Sequence, residues 1–294
     1  MTAPVPRLRM FAGPNGSGKS TIKDTLPLQW LGVYVNADEM EKSIRAHGFL
    51  NLPAFEVDAN AQELQAFLQS STLLAASGLL PQAQHLTLAD GKVDFGEVAV
   101  NSYWASVLAD FIRHKLLAAK VSLTFETVMS SPDKVAFLHK AQQAGYRTYL
   151  YFVATEDAEI NVARVQYRVQ TGGHPVAQDK IRSRYVRSLG LLAQAVSHAD
   201  RAYIFDNSGA DRVWIAEVTD GTEVEMKTDE MPAWFKTALW DQFEAGEPKP
   251  GRALRSGDCH TAGCKARSLG SAGGLAPQAS GDSDRLERSI QHSP

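Results

Sequence analysis

Two cysteines are all that this 294-residue chain has, and both, Cys259 and Cys264, fall near its C-terminal end. A disulfide-stapled fold is thereby excluded for everything before them, which agrees with a reducing compartment. Long apolar runs are missing as well. No stretch approaches the ~18 consecutive apolar residues of a membrane-spanning helix. The first residues lack the apolar core of a secretory signal, so no membrane partner and a cytoplasmic location are expected. Nor is one sign of charge in excess: 30 Lys and Arg stand against 33 Asp and Glu, a formal net charge of −3. Nothing in that balance points to nucleic acid as a partner. There is no "LSGGQ" signature, no apolar run closing on an Asp-Glu pair and no "NKxD" motif. Those absences weigh against an ABC-type mechanical ATPase and a guanine-nucleotide switch. "DNSG" at residues 206–209 does fit D-x-x-G, a short pattern with two fixed positions.

What is present begins with "FAGPNGSGKSTI". Gly13, Gly18, Lys19 and Ser20 fit G-x-x-x-x-G-K-[ST], between a short apolar run at 8–12 and a stretch at 21–26 that can open a helix. Strand, glycine-rich loop and helix in that order are the context of a true P-loop. Gly16 and Gly18 let successive N–H groups face one anion, and the helix N-terminus adds its positive end. Gly13, Pro14, Asn15, Gly16, Ser17, Gly18, Lys19, Ser20 and Thr21 are therefore the expected ATP site. Lys19 is expected at the β- and γ-phosphates and Ser20 on Mg²⁺.

Along the chain, strands alternate with helices, so a parallel sheet covered on both faces is expected. Strands are read at 8–12, 33–36, 121–126, 146–154 and 202–206. Helical character is read at 51–77, 101–119, 132–144, 158–170, 178–199 and 234–243. Asp90-Gly91 and the "TDGT" stretch at 219–222 mark two hairpins, the second lying C-terminal to the sheet. One kinase-like domain over 1–245 follows, with 50–101 as an insertion capping the site. From 246 on, Gly, Ser, Ala and Pro dominate, too few large apolar residues to offset chain entropy, so a disordered tail is expected. Cys259, His260 and Cys264 lack the fourth ligand of a zinc site.

Phosphoryl transfer needs an in-line acceptor, a group to take its proton, and positive charge on the moving phosphoryl. Asp38 follows the second strand, at the carboxyl end of the sheet where α/β folds bind ligands, and suits a general base. Its other reading is a carboxylate favouring a helix start, with Asn36 and Glu39 spaced as a capping pair. In "VSLTFE", Ser122, Thr124 and Glu126 share one face, which is expected to meet the cleft. Glu126 then orients the acceptor, or else caps the helix at Pro132. Arg164 and Arg168 lie four apart on one helix face, and paired guanidinium donors suit phosphate oxygens. Gly172 and Gly173 permit a lid to hinge. Arg182, beside the stripe of Ile181, Tyr185, Leu189 and Leu192, is expected to reach inward, with Arg184 and Arg187 pointing elsewhere. A solvated basic face is the other reading of these arginines.

Taken in order, "GPNGSGKST", "NADEM", "FETVMS", "RVQYRVQTGGH" and "IRSRY" resemble the zeta toxin family of P-loop kinases, and more closely its short bacterial relatives. The likeness runs over about residues 8–207, with 50–101 unlike the compact members. It implies a mononucleotide-kinase-like fold and ATP-dependent phosphorylation of a sugar hydroxyl, UDP-N-acetylglucosamine in zeta toxins, with a small antitoxin protein as partner. It implies Asp38 as the catalytic aspartate and Glu126 and Thr127 as the substrate-contacting pair. Arg164 or Arg168 would be the first transition-state arginine, and His174 or Arg182 the second. The chain departs from the family in lacking a glycine between Glu126 and Thr127, and in the direct step from His174 to Pro175.

Overall fold

Arg147–Ala154 is buried from its second residue to its last. A continuous apolar run of this kind suits a strand with neighbours on both edges and both faces covered. In the computed structural model, which describes residues 4–173 and 175–245, that is what the run becomes. In chain order the first elements are β1 (Arg7–Ala12), α1 (Lys19–Lys23), α2 (Leu28–Leu31), β2 (Val33–Val35) and α3 (Ala37–His47). Then come β3 (Phe49–Asn51), a 3-10 turn (Pro53–Phe55), α4 (Ala61–Gln69), α5 (Thr72–Ala76), α6 (Leu80–Ala83), β4 (Thr87–Ala89) and β5 (Lys92–Asp94). The core continues with α7 (Ser102–Ala118), β6 (Leu123–Thr127), α8 (Pro132–Gln143), β7 (Arg147–Ala154), α9 (Ala158–Gln170), α10 (Gln178–Gly190) and α11 (Leu192–Ser197). β8 (Arg201–Asp206), β9 (Val213–Thr219), β10 (Glu223–Met226), α12 (Ala233–Phe235), a π turn (Lys236–Trp240) and α13 (Asp241–Ala245) close it.

The main sheet has the order β10-β9-β8-β7-β1-β6-β2. β2, β6, β1, β7 and β8 are parallel, and β9 and β10 run antiparallel at one edge. Period-two alternation divides β1 between the faces. Leu8, Met10 and Ala12 join the larger core, and Phe11 joins a smaller one under α1 and α2. On that second face Phe11, Tyr151 and Tyr203 stack across three strands, with centroids 4.6 and 5.0 Å apart. Helices thus cover both sides, as the alternating sequence predicts. No helix among the described residues is long and apolar enough to cross a membrane.

Several expectations need correction. Residues 51–77 are not one helical stretch: Pro53 opens a 3-10 turn, and Asn60 starts a new helix by a capping box with Glu63. A proline has no N–H to extend a helix, and a fresh cap sets a fresh start. Residues 178–199 divide at Gly190 into α10 and α11. The polar face of the β6 segment does not line the cleft throughout. Thr124 is fully buried and donates to the carbonyl of Leu31, and Ser122 accepts from the Arg7 N–H at 3.0 Å. Backbone groups of α2 and of the start of β1 need partners there, and these hydroxyls meet that need. Only Glu126 and Thr127, at the strand's end, reach the cleft.

β3, β5 and β4 form a second sheet, whose hairpin turns at Asp90 and Gly91 with φ 49° and 72°. Positive φ at both positions is the type I′ geometry that Asp-Gly predicts. Leu52, Leu64, Leu74 and Phe95 bury in the same core as Trp104 and Leu108 of α7, so this segment extends the main core. His174 and the tail with Cys259, His260 and Cys264 lie outside the described residues.

Candidate active site

The loop between β1 and α1 is shaped by its glycines. Gly13 has φ 139°, and a Cβ there would stand 2.0 Å from the Val153 carbonyl oxygen. Gly18 has φ 95°, and a Cβ would meet the Asn207 side chain at 2.4 Å. Two side chains from outside the loop hold it. Buried Asn161 of α9 donates to the Asn15 carbonyl at 2.6 Å, and Asn207, after β8, donates to the Ser17 carbonyl at 2.8 Å. Neither was an expected site residue. The signal for Asn161 was a lone amide inside the apolar stripe of Val162 and Val165, a position where a polar group needs a partner.

Lys19 curls over the loop, donating to the carbonyls of Gly13 and Pro14 at 2.9 Å each. Burial lowers its pKa to about 8; Glu126 and Asp38 oppose that shift and Arg168 adds to it. Both acids and Arg168 are therefore close enough to be felt at Lys19. Ser20 donates from Oγ to Oε2 of Glu126 at 2.9 Å. The other oxygen, Oε1, accepts from the Tyr34 hydroxyl at 2.6 Å, and that hydroxyl accepts from Asn36 Nδ2 at 2.8 Å. Burial, and then the Glu126 charge, raise the Tyr34 pKa far above its usual value, so Tyr34 keeps its proton. Asn36 is also the N-cap of α3: its Oδ1 accepts from the N–H groups of Asp38 and Glu39. Asn36 caps the helix, Asp38 and Glu39 stand in its first turn, and Asp38 also lines the cleft. Glu126 does not cap α8, whose N-cap is Ser131.

The opposite wall carries cations. Arg164 donates to the carbonyls of Asn207 (2.6 Å) and Gly209 (3.2 Å), and Arg168 lines the cleft one turn on. Arg182 does not reach inward. It lies half exposed, bonded from Nε and Nη2 to the carboxylate of Glu159. α10 packs through Ile181 against Val162 and Val165, which brings the neighbouring Arg182 onto the rim of α9. Lys180, Arg184 and Arg187 face the cleft instead, and Arg184 donates to Asn15 Oδ1 at 3.3 Å. Their i, i+4, i+7 spacing was the legible signal.

The far wall comes from the α4–α5 region and α7, with Phe67, Ser71, Tyr103 and Asp110 among its lining. Thr127 also lines the cleft, and its hydroxyl accepts from the Met129 N–H at 3.0 Å. The whole cleft encloses about 1320 Å³ and joins the loop, Asp38, Glu126 and the cationic row. Oxygen ligands such as Ser20 suit Mg²⁺, and a site with one hydroxyl beside a carboxylate fits a cation brought in by phosphates.

Asp206, the first residue of the D-x-x-G match, is committed elsewhere. It accepts from Trp234 Nε1 at 2.7 Å and from the N–H and hydroxyl of Ser208.

Among curated proteins, an uncharacterised protein of Haemophilus influenzae is 26% identical over 175 residues, covering 60% of this chain and 89% of that one. Among solved structures, one from the PezAT chromosomal toxin-antitoxin system of Streptococcus pneumoniae is similar, with 15% identity. The match covers 85% of this chain and 82% of that chain at a TM-score of 0.44. An AvrRxo1-ORF1:-ORF2 structure with ATP matches at 14% identity over 86% of this chain and 66% of that chain, at a TM-score of 0.41. The zeta toxin family model matches residues 89–223 of this chain.

Proposed function

We propose that this protein is an ATP-dependent kinase that transfers the γ-phosphoryl group to a hydroxyl of an acceptor held in the cleft. The observation that carries the reading is the meeting of three groups in one cavity: the P-loop with Lys19 and Ser20, the carboxylate of Asp38, and the cations of α9 and α10. Asp38 accepts the hydroxyl proton as the oxygen attacks phosphorus and ADP departs. Arg168 and Arg184, with Lys19, gather charge on the moving phosphoryl, the main electrostatic demand of this chemistry. Arg164 gives two donors to carbonyls beyond β8 and contributes by shaping that wall. Ser20 would hold Mg²⁺ together with the phosphates, and that ion would supply charge neutralisation. The helices of the insertion wall the acceptor end.

For the acceptor we propose a sugar hydroxyl, with UDP-N-acetylglucosamine the first candidate on the family resemblance. A small antitoxin protein is proposed as partner on the same ground. The engagement of Asp206 with Trp234 and Ser208 favours the kinase over a switch acting through a protein partner. The test is incubation with ATP, Mg²⁺ and a panel of sugars and nucleotide sugars, followed by mass spectrometry. A product heavier by one phosphate supports the kinase. ATP hydrolysis that appears only with a macromolecular partner would overturn it.

A further inference from the structure

Glu126 accepts two hydrogen bonds, and neither donor is in a position to be an acceptor substrate. Ser20, the loop serine, gives its only proton to Oε2, and Tyr34 gives its only proton to Oε1. A serine hydroxyl has one proton and two lone pairs. With the proton committed to Glu126, the two lone pairs are left to accept from a donor or bind a cation. A hydroxyl with its proton held elsewhere suits a cation ligand. A cation on Oγ makes the hydroxyl more acidic and strengthens its bond to the carboxylate, as outer partners of metal ligands do. β2 and β6 are paired with Tyr34 opposite Thr124, which sets the Tyr34 hydroxyl diagonally across from Glu126. The Tyr34 oxygen is in turn fixed by Asn36, which caps the helix carrying Asp38.

Resting on the reading of the loop as a Mg²⁺–ATP site, we propose that Glu126, held by Tyr34, is a positioning residue that aims the Ser20 lone pair at the divalent cation. Through Asn36 the same bonds set the first turn of α3, and with it Asp38, against the metal side of the site. Four side chains thus run from the cation ligand to the helix of the base: Ser20, Glu126, Tyr34 and Asn36. This assigns Glu126 to the donor side of the reaction instead of to acceptor recognition.

The experiment measures ATP affinity of the full chain by calorimetry, in excess Mg²⁺ and in EDTA, for the wild type, Glu126→Gln and Tyr34→Phe. Both substitutions are close in shape, and circular dichroism checks folding. In EDTA the variants should bind ATP at least as tightly as the wild type, because the glutamine removes a negative charge and Tyr34→Phe leaves the loop intact. In Mg²⁺ the gain over EDTA should shrink by about 10-fold or more in Glu126→Gln, the usual scale for an outer partner of a metal ligand, and by less in Tyr34→Phe. Amide exchange over residues 37–41 should slow on adding Mg²⁺ to the ATP complex of the wild type, and not in Tyr34→Phe. An unchanged Mg²⁺ gain in both variants would overturn the proposal while leaving the kinase reading intact. Absence of ATP binding by the wild type in either medium would remove both.

Discussion

Arg184 donates from Nη1 to Oδ1 of Asn15 at 3.3 Å, tying α10 to the phosphate loop across 169 residues of sequence. Two positions earlier on the same helix, Arg182 is spent on Glu159 at the surface. The pair separates a cation of the cleft from one of the rim.

Mutation should separate them too. Arg184→Ala and Arg168→Ala are expected to lower kcat/KM by about 10³-fold or more, the scale of arginines that neutralise a transferring phosphoryl. Arg182→Ala should stay close to wild type, since an exposed ion pair contributes little. Steady-state phosphate transfer on the three variants checks this, and a large loss in Arg182→Ala alone would contradict it.

Asp38→Asn keeps the size of the side chain and removes the base. Turnover should fall by about 10²-fold or more. ATP affinity should hold within a few-fold, because the first turn of α3 is capped by Asn36. Calorimetry for binding and product formation for turnover give the two readouts; wild-type turnover would remove Asp38 from the mechanism.

The lowered pKa of Lys19, about 8, predicts a pH dependence. Only the ammonium form neutralises a phosphate, so bound ATP favours the protonated state and raises the pKa in the complex. Affinity should be level below pH 7 and weaken by up to about tenfold per pH unit as pH climbs above 8, until the raised pKa is reached. Titrations at pH 7 and 9 test the sign, and Lys19→Met should abolish the dependence.

Asn161→Ala would leave the Asn15 carbonyl without its donor, inside the protein, and the Thr155 hydroxyl with the Asp157 carbonyl as its remaining acceptor. Destabilisation of about 1–3 kcal/mol is expected from such an orphaned group. ATP affinity should drop with it, because Asn15 belongs to the loop. Thermal melts and calorimetry on the same preparation would show both changes; a Tm equal to wild type would contradict the role.

Local patterns made much of this molecule legible. The glycine spacing of 13–20 needs only neighbouring residues to state that the backbone must curl. The apolar run ending at Ala154 announces a buried strand by composition, and Asp90-Gly91 announces a turn by its tolerance of positive φ. Asp38 could be placed at the carboxyl end of a strand because parallel sheets expose that end. These are consequences of backbone stereochemistry and of short-range burial, so the sequence alone determined them. The partners of Glu126, Arg182 and Asn207 were of another kind. Glu126 meets Ser20 and Tyr34 at separations of 106 and 92 residues, and Asn207 meets Ser17 at 190. Which of two neighbouring arginines faces the cleft hung on the roll of α10 about Ile181 as it packed on α9. A helix's sequence defines its apolar stripe, but only the packed neighbour fixes what lies on either side of it. Hydrogen bonds between distant segments form wherever close packing brings a donor to a buried acceptor, and that meeting is a property of the tertiary structure.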